Sequence, residues 1–152
     1  MELPWTAQRL ITDVDAVIGR ADTQFDLQIQ SDLAKYLVVR VGGLVEQVIS
    51  EVVLAHVRTR SAPTVSEHVE WRMKAFQNPS VERVLQLVGS FGKVWRAELE
   101  ALVTQSEREA LASVMLQRNK VAHGEDSTVS LAQVKQYYSE IRSLLDKVAT
   151  KF

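Results

Sequence analysis

The chain has 152 residues, of which 46% are hydrophobic and 24% are charged, with 18 basic against 19 acidic side chains and a net charge of −1. This composition is typical of one folded domain with a sizeable core, so we expect residues 1–152 to form a single domain. It argues against a protein that coats nucleic acid through bulk charge, and the absence of cysteine excludes disulfides, thiolate nucleophiles and cysteine-ligated metal sites.

No segment for export or membrane insertion is visible in the sequence. The first nine residues lack the basic and apolar segments of a secretory signal. No window approaches the roughly 18 uncharged apolar residues that a membrane-spanning helix needs. We therefore expect a cytoplasmic chain with no membrane partner.

Apolar residues recur at steps of three and four along most of the chain, and glycine and proline are scarce, so the sequence predicts an all-α helical bundle. The first helix is predicted from Thr6 to about Gly19 and is followed by a turn near Ala21 to Gln24. A long helix is predicted from about Phe25 to Arg58. Because this long helix is apolar on two faces, we expect it to be central in the bundle, with a close helix crossing at Gly42-Gly43.

Capping signals divide the middle of the chain into two shorter helices. Thr64-Val65-Ser66-Glu67 is typical of a capping box and predicts a helix over about 65–77. Asn78-Pro79 is typical of an N-cap followed by proline at the first helical position, and it predicts a helix over about 79–89. The sequence Ser90-Phe91-Gly92 then breaks the pattern.

Three further helices are predicted in the last third of the chain. Lys93 to Leu102 is a short helical segment. Thr104-Gln105-Ser106-Glu107 is a second capping box, and it opens a helix that ends at Gly124. Ser130-Leu131-Ala132-Gln133 opens a last helix that continues to about Ala149.

The predicted helix from about Gln105 to His123 changes abruptly from apolar to polar at its C-terminal end. Arg118 lies seven positions after Leu111, so at about 100° per residue it continues the buried stripe and needs a partner. Asn119 and His123 are four residues apart and share one face, and the long stem of Arg118 can lean across toward them. The three polar side chains could therefore converge on one phosphate group.

The order R-N-x-x-x-H in Arg118-Asn119-Lys120-Val121-Ala122-His123 resembles the hallmark of the HEPN superfamily of small α-helical bundles. The long helix around Arg40 to Glu46 and the last helix also look similar to the RiboL-PSP-HEPN-like branch, which accompanies RNase-toxin and phage-defence modules. The resemblance implies a bundle with a long central helix and additional short helices, no cofactor, and metal-independent cleavage of RNA. It also implies a homodimer that shares the site, and an antitoxin or another defence-system protein as partner.

By this resemblance the catalytic residues are Arg118, Asn119 and His123, with no metal. His123 would act as general base or acid in an attack by the ribose 2′-hydroxyl, Arg118 would stabilise charge on the phosphate, and Asn119 would position either neighbour. Lys120 is a further candidate for RNA binding, and Glu46 is a candidate ion-pair partner of Arg118. Some members of the superfamily have a tyrosine two positions after the histidine; it is absent here, so control by nucleotide transfer is not implied.

Structural interpretations compete with this function. Cations in the last turn of a helix favour the helix dipole, and glycine just beyond is a common C-cap, so the motif by itself requires no substrate. Glu46 can equally belong to a purely structural ion pair. The alternative functions are a catalytically inactive module that binds RNA, a nucleotide or a protein, and a helical dimerisation domain. His56 and His68 show no metal-ligand spacing, so we expect packing or surface roles for them.

Overall fold

Every regular element within residues 2–21 and 24–152, the part of the chain that the computed structural model describes, is an α-helix. The helices in chain order are α1 (Trp5–Arg20), α2 (Leu27–Arg60), α3 (Pro63–Met73), α4 (Val81–Phe91), α5 (Lys93–Leu102), α6 (Gln105–Ala122) and α7 (Leu131–Ala149). The expected all-α fold class is confirmed, and the bounds of α1, α2, α5, α6 and α7 are close to the predicted ones. The turn predicted near Ala21 to Gln24 includes Asp22 and Thr23, which lie outside the described residues.

The long helix α2 is the centre of the fold. It packs against α1, α3, α6 and α7, and its buried side chains include Leu37, Val41, Leu44 and Ile49. Burial of each such aliphatic side chain stabilises the fold by roughly 1.5–3 kcal/mol, because apolar surface is removed from water. In the described part of the chain, neither α2 nor any other helix is both long and apolar enough to cross a membrane. Because α2 has neighbours on several sides, its position determines where α6 packs.

The predicted start of α3 is wrong. The helix begins at Pro63, with Ala62 as N-cap and no side-chain cap, so the capping box predicted at Thr64–Glu67 is not formed. Proline suits the first turn of a helix, because its fixed φ is helical and its missing N–H would have no partner there. Thr64 is consequently inside the helix, which ends at Met73.

The predicted start of α4 is also wrong. Ser80 is the N-cap, since its Oγ accepts from the Arg83 N–H at 3.2 Å, and Val81 is the first helical residue. Asn78 was expected to cap this helix, but it lies in the preceding loop. A serine two residues later competes for the same role, and serine and asparagine are about equally good N-caps.

The helices α6 and α7 begin where the sequence predicted, and each of them begins with a capping box. Thr104 Oγ1 accepts from the Glu107 N–H at 3.2 Å, and the Glu107 carboxylate accepts from the Thr104 N–H at 2.9 Å. Ser130 and Gln133 form the same reciprocal pair at 3.1 and 2.9 Å. Both predictions are confirmed. A cap of this kind contributes about 1 kcal/mol, so local chemistry defines these two helix starts.

Candidate functional site

The helix α6 crosses α2 so closely at Gly42 that a Cβ atom there would require the Arg118 side chain to shift. A Cβ atom placed on Gly42 would lie 2.7 Å from Cδ and 3.5 Å from Nε of Arg118. A Cβ atom placed on Gly43 meets nothing within 4 Å in the described part of the chain. The close crossing predicted from the glycine pair is therefore confirmed at Gly42, and it seats the stem of Arg118 on the backbone of α2.

Replacing each of these two glycines by alanine is expected to give different results. Gly43→Ala should raise the free energy of unfolding by about 0.5–1 kcal/mol, because alanine is the better helix former and has space. Gly42→Ala has the same helix-forming advantage, but its Cβ displaces Arg118, so the free energy of unfolding should stay below that of Gly43→Ala. Urea denaturation of both variants measures the difference. Equal stabilisation by the two substitutions would contradict the close crossing.

Two residues that are distant in sequence from Arg118 bind its guanidinium, and we call Glu46, Asn78 and Arg118 the Arg118 clamp. Arg118 Nη1 donates to Glu46 Oε1 at 2.6 Å and to Asn78 Oδ1 at 3.0 Å. The Asn78 backbone N–H donates to the same Glu46 oxygen at 2.6 Å. The side chains of Arg118 and Glu46 are 24% and 16% exposed, so water screens this ion pair less than a pair on the open surface.

Nothing in the amino-acid pattern indicates that Asn78 belongs to the Arg118 clamp. Its φ of +46° is in the left-handed region, which asparagine tolerates better than most residues with a Cβ atom. It lies 32 residues from Glu46 and 40 from Arg118, so no local spacing could indicate either contact. The one available signal was the tolerance of asparagine for left-handed backbone, and that signal is equally compatible with a plain turn.

The other motif side chains lie on the outer side of α6. Asn119 and His123 are exposed, and Lys120 is half-buried. Within residues 2–21 and 24–152, no hydrogen bond or ion pair engages the side chain of Asn119, Lys120 or His123. The structure therefore engages Arg118 inside the chain and leaves the imidazole and the amide available to a ligand. Convergence of Arg118, Asn119 and His123 on one phosphate stays a prediction.

The end of α6 also has the features of an ordinary helix C-terminus. His123 is the C-cap, and its backbone N–H donates to the Asn119 carbonyl at 3.0 Å. Gly124 follows with a φ of +69°, a conformation for which glycine carries no steric cost. Helix termination thus explains the backbone of this segment, and it places no demand on the side chains of Asn119 and His123, which are exposed.

Two surface cavities adjoin the C-terminal end of α3. A cavity of about 350 Å³ is lined by Glu46 together with residues of α1, α2 and the α3–α4 loop, so it adjoins the Arg118 clamp. A cavity of about 510 Å³ lies between α3 and α4 and is lined by Arg72, Phe76 and Arg83 among others. Neither cavity encloses His123. The imidazole is therefore on an open face of the chain.

The described surroundings of the three histidines show no metal-binding geometry. Within the two described ranges, no group of three or more His, Cys, Asp or Glu side chains is placed to hold a metal ion. His56 packs edge-on against Phe91, Trp95 and Phe152, and its Nδ1 lies 2.7 Å from the Phe152 carbonyl oxygen. His68 is exposed on α3. These are the packing and surface positions expected from the sequence.

A family model described as RiboL-PSP-HEPN matches residues 7–152 of this chain. No curated protein and no solved structure gave a match. The matched range begins in the first turn of α1 and runs to the last residue, so it includes the whole Arg118 clamp and the polar end of α6. The family that this model describes is the branch that the sequence resembles.

Proposed function

This chain belongs to the RiboL-PSP-HEPN family, and we propose that it is a metal-independent endoribonuclease whose catalytic residues are Arg118, Asn119 and His123. The observation that carries the proposal is the polar end of α6. There an exposed imidazole, unpaired among the described residues, lies one helical turn from Asn119 and five residues from an arginine held by the clamp. Acid–base cleavage of a phosphodiester requires a base and a cation that reach the same phosphate, and the proposal assigns these roles to His123 and Arg118.

The proposed reaction is attack of a ribose 2′-oxygen on the adjacent phosphorus. One imidazole accepts the 2′-hydroxyl proton as the O2′–P bond forms, and an acid gives a proton to the leaving 5′-oxygen as the P–O5′ bond breaks. Arg118 stabilises the negative charge on the phosphate oxygens, and Asn119 orients the imidazole or the phosphate. Lys120 adds positive charge beside the site. The products are a 2′,3′-cyclic phosphate and a 5′-hydroxyl end.

The site is shared by two copies of the chain in this proposal, because the reaction uses both a base and an acid and one chain supplies one motif histidine. The exposed face of α6 that carries Asn119 and His123 continues back through Leu116 and Ala112, and Leu116 is 56% exposed. A symmetric partner on this face would bury Leu116 and bring two His123 imidazoles near one phosphate. A neutralising protein such as an antitoxin would act by covering the same face.

Cleavage of RNA in the presence of EDTA tests the proposal. Wild type is expected to cut RNA and leave 2′,3′-cyclic phosphate ends. Arg118→Ala should lower kcat/KM by at least about 100-fold, the usual loss when one donor to a developing negative charge is removed. Arg108→Ala is the matched control, since Arg108 lies on the same helix outside the clamp. Equal rates for wild type and Arg118→Ala, or loss of wild-type cleavage in EDTA, would contradict the proposal.

A second candidate function is a catalytically inactive module that binds RNA, and the engagement of Arg118 favours it. Both hydrogens of Nη1 are accepted within the chain, by Glu46 and by Asn78, as in an ion pair that fastens α6 to α2. Fluorescence anisotropy with labelled RNA separates the two functions. Binding that depends on Arg118, without cleavage of any RNA tested, would favour the inactive module over the enzyme.

A further inference from the structure

Asn78 lies where the α3–α4 loop meets the crossing of α2 and α6. Among the residues that the structure describes, it alone combines a side chain larger than hydrogen with a positive φ. Its backbone N–H and its side-chain oxygen bind two different helices, through Glu46 and Arg118 respectively. Asn78 is itself exposed, so burial of its own surface does not explain these contacts.

The loop that carries Asn78 is held in place by Arg83 of α4. Arg83 Nη2 donates to the Ala75 carbonyl at 2.6 Å, and Nη1 donates to the Gln77 carbonyl at 3.0 Å. The same guanidinium lies over the Phe76 ring, with 5.7 Å between Cζ and the ring centroid. Charge-assisted hydrogen bonds of this kind fix a loop without any contribution from α6. The contacts of Arg83 therefore hold the loop in place, and Asn78 in that loop accepts a hydrogen bond from Arg118.

The contacts at Nη1 decide which side of the Arg118 guanidinium is free. Glu46 and Asn78 accept one hydrogen each from Nη1. Nothing among the described residues accepts from Nε or Nη2, and neither atom is cut off from solvent. Nε and Nη2 together form an edge that can bind two oxygens of one phosphate side by side. The clamp thus leaves an edge with two hydrogen-bond donors, Nε and Nη2, free to bind a ligand.

We propose that Asn78 is a positioning residue that sets the orientation of Arg118 toward a phosphate of the RNA substrate, an inference that rests on the proposed ribonuclease function. Glu46 balances the charge of Arg118, and Asn78 takes the second Nη1 hydrogen. With both hydrogens held, rotation about the Nε–Cζ bond and swinging of the side chain are restricted, and the free edge is preorganised for the phosphate. Asn78 acts through Arg118 and does not touch the reacting atoms.

Three substitutions distinguish the contribution of the Asn78 side chain from that of its backbone. Asn78→Gly keeps the left-handed backbone and the N–H that binds Glu46, but it removes the Oδ1 acceptor. Asn78→Asp keeps an oxygen acceptor on a residue that also tolerates positive φ. Gln77→Ala removes an amide side chain at the neighbouring position, outside the clamp, and is the matched control.

Two measurements on the purified full chain test the role of Asn78. Separate ¹⁵N NMR signals for the two Nη groups of Arg118 report restricted rotation, whether or not RNA is cut. We expect separate signals in wild type, Asn78→Asp and Gln77→Ala, and averaged signals in Asn78→Gly. In RNA cleavage, Asn78→Gly should lower kcat by about tenfold, the usual effect of losing one hydrogen bond to a charged group, with KM and Tm nearly unchanged. Asn78→Asp should recover most of the rate.

Averaged Arg118 signals and slower cleavage confined to Asn78→Gly would support the positioning role. Separate signals that persist in Asn78→Gly would overturn it, and so would averaged signals accompanied by a wild-type kcat. If wild type cuts no RNA, the proposed function fails and the NMR comparison still decides the orientation of Arg118. In that event averaged signals in Asn78→Gly support the positioning of Arg118 by Asn78, and unchanged signals overturn it.

Discussion

Replacing His123 by alanine is expected to lower kcat/KM for RNA cleavage by at least about 100-fold, the lower end of what one positioned acid or base contributes. The imidazole is exposed and has no hydrogen-bond partner among the described residues, so its removal leaves no buried group unpaired. The free energy of unfolding should therefore change by less than about 0.5 kcal/mol. A large loss of rate at constant stability distinguishes a catalytic imidazole from a helix C-cap.

His68→Ala is the matched control for this substitution. His68 is also an exposed histidine on a helix, but it lies on α3, outside the motif. The control should cleave RNA at the wild-type rate and unfold at the same urea concentration as wild type. Equal cleavage rates for His123→Ala and His68→Ala would remove His123 from the catalytic site.

Mixing wild-type and His123→Ala chains tests whether two copies of His123 serve one site. If the base and the acid come from different copies, only dimers with two wild-type chains cleave RNA. The rate should then fall with the square of the wild-type fraction, after the chains have been allowed to exchange partners. A rate that is proportional to the wild-type fraction would contradict the shared site, while leaving a role for His123 within one chain.

The second large effect is expected at Glu107, a carboxylate that is only 1% exposed between α6 and α7. Its Oε1 accepts from Lys147 Nζ at 2.6 Å and from Ser143 Oγ at 2.6 Å, and its Oε2 accepts from the Thr104 N–H at 2.9 Å. One side chain therefore closes the N-terminal cap of α6 and holds α7 against it.

Glu107→Ala is expected to lower the free energy of unfolding by about 3 kcal/mol, because it breaks a buried ion pair and a capping box together. The corresponding fall in Tm is roughly 6–12 °C for a chain of this size. Glu109→Ala is the control on the same helix, since Glu109 is exposed and bonds only to Gln105 among the described residues. Its effect should be below about 0.5 kcal/mol. Similar losses for the two variants would show that the buried network contributes little.

The contribution of Glu107 should also depend on pH. Burial raises the pKa of this carboxyl, but the hydrogen bonds from Lys147, Ser143 and the Thr104 N–H outweigh burial and hold the pKa below its ordinary value of 4.5. A lowered pKa in the folded chain adds stability above the unfolded pKa, and this stability is lost as the pH falls through the folded pKa. The difference in unfolding free energy between wild type and Glu107→Gln should be constant near neutral pH and shrink below about pH 4.5. A difference that grows in acid would contradict the shift.

Features that depend on neighbouring residues could be predicted from the sequence alone. The helix starts at Thr104 and Ser130 follow from reciprocal hydrogen bonds across three residues, and they lie where the sequence predicts them. The two-faced apolar pattern of α2 predicts its central position, because only a helix with neighbours on several sides benefits from such a pattern. The R-N-x-x-x-H order at Arg118 to His123 identified the family, which the match over residues 7–152 shows independently.

Which groups meet at the Arg118 clamp depends instead on how the helices pack. The sequence indicated that Arg118 needs a partner and offered Glu46 as a candidate. It did not indicate the position of the α3–α4 loop, because that position does not follow from local spacing. Because Ser80 is the N-cap of α4, Asn78 lies in the preceding loop, where its backbone is left-handed. Hydrogen bonds from Arg83 hold this loop in place. These contacts span tens of residues and depend on how α2, α4 and α6 pack, and packing is a property of the whole core rather than of any one segment. The sequence therefore determined which residues could act, and the fold decided that Asn78 and Glu46 hold Arg118 while Asn119 and His123 stay open.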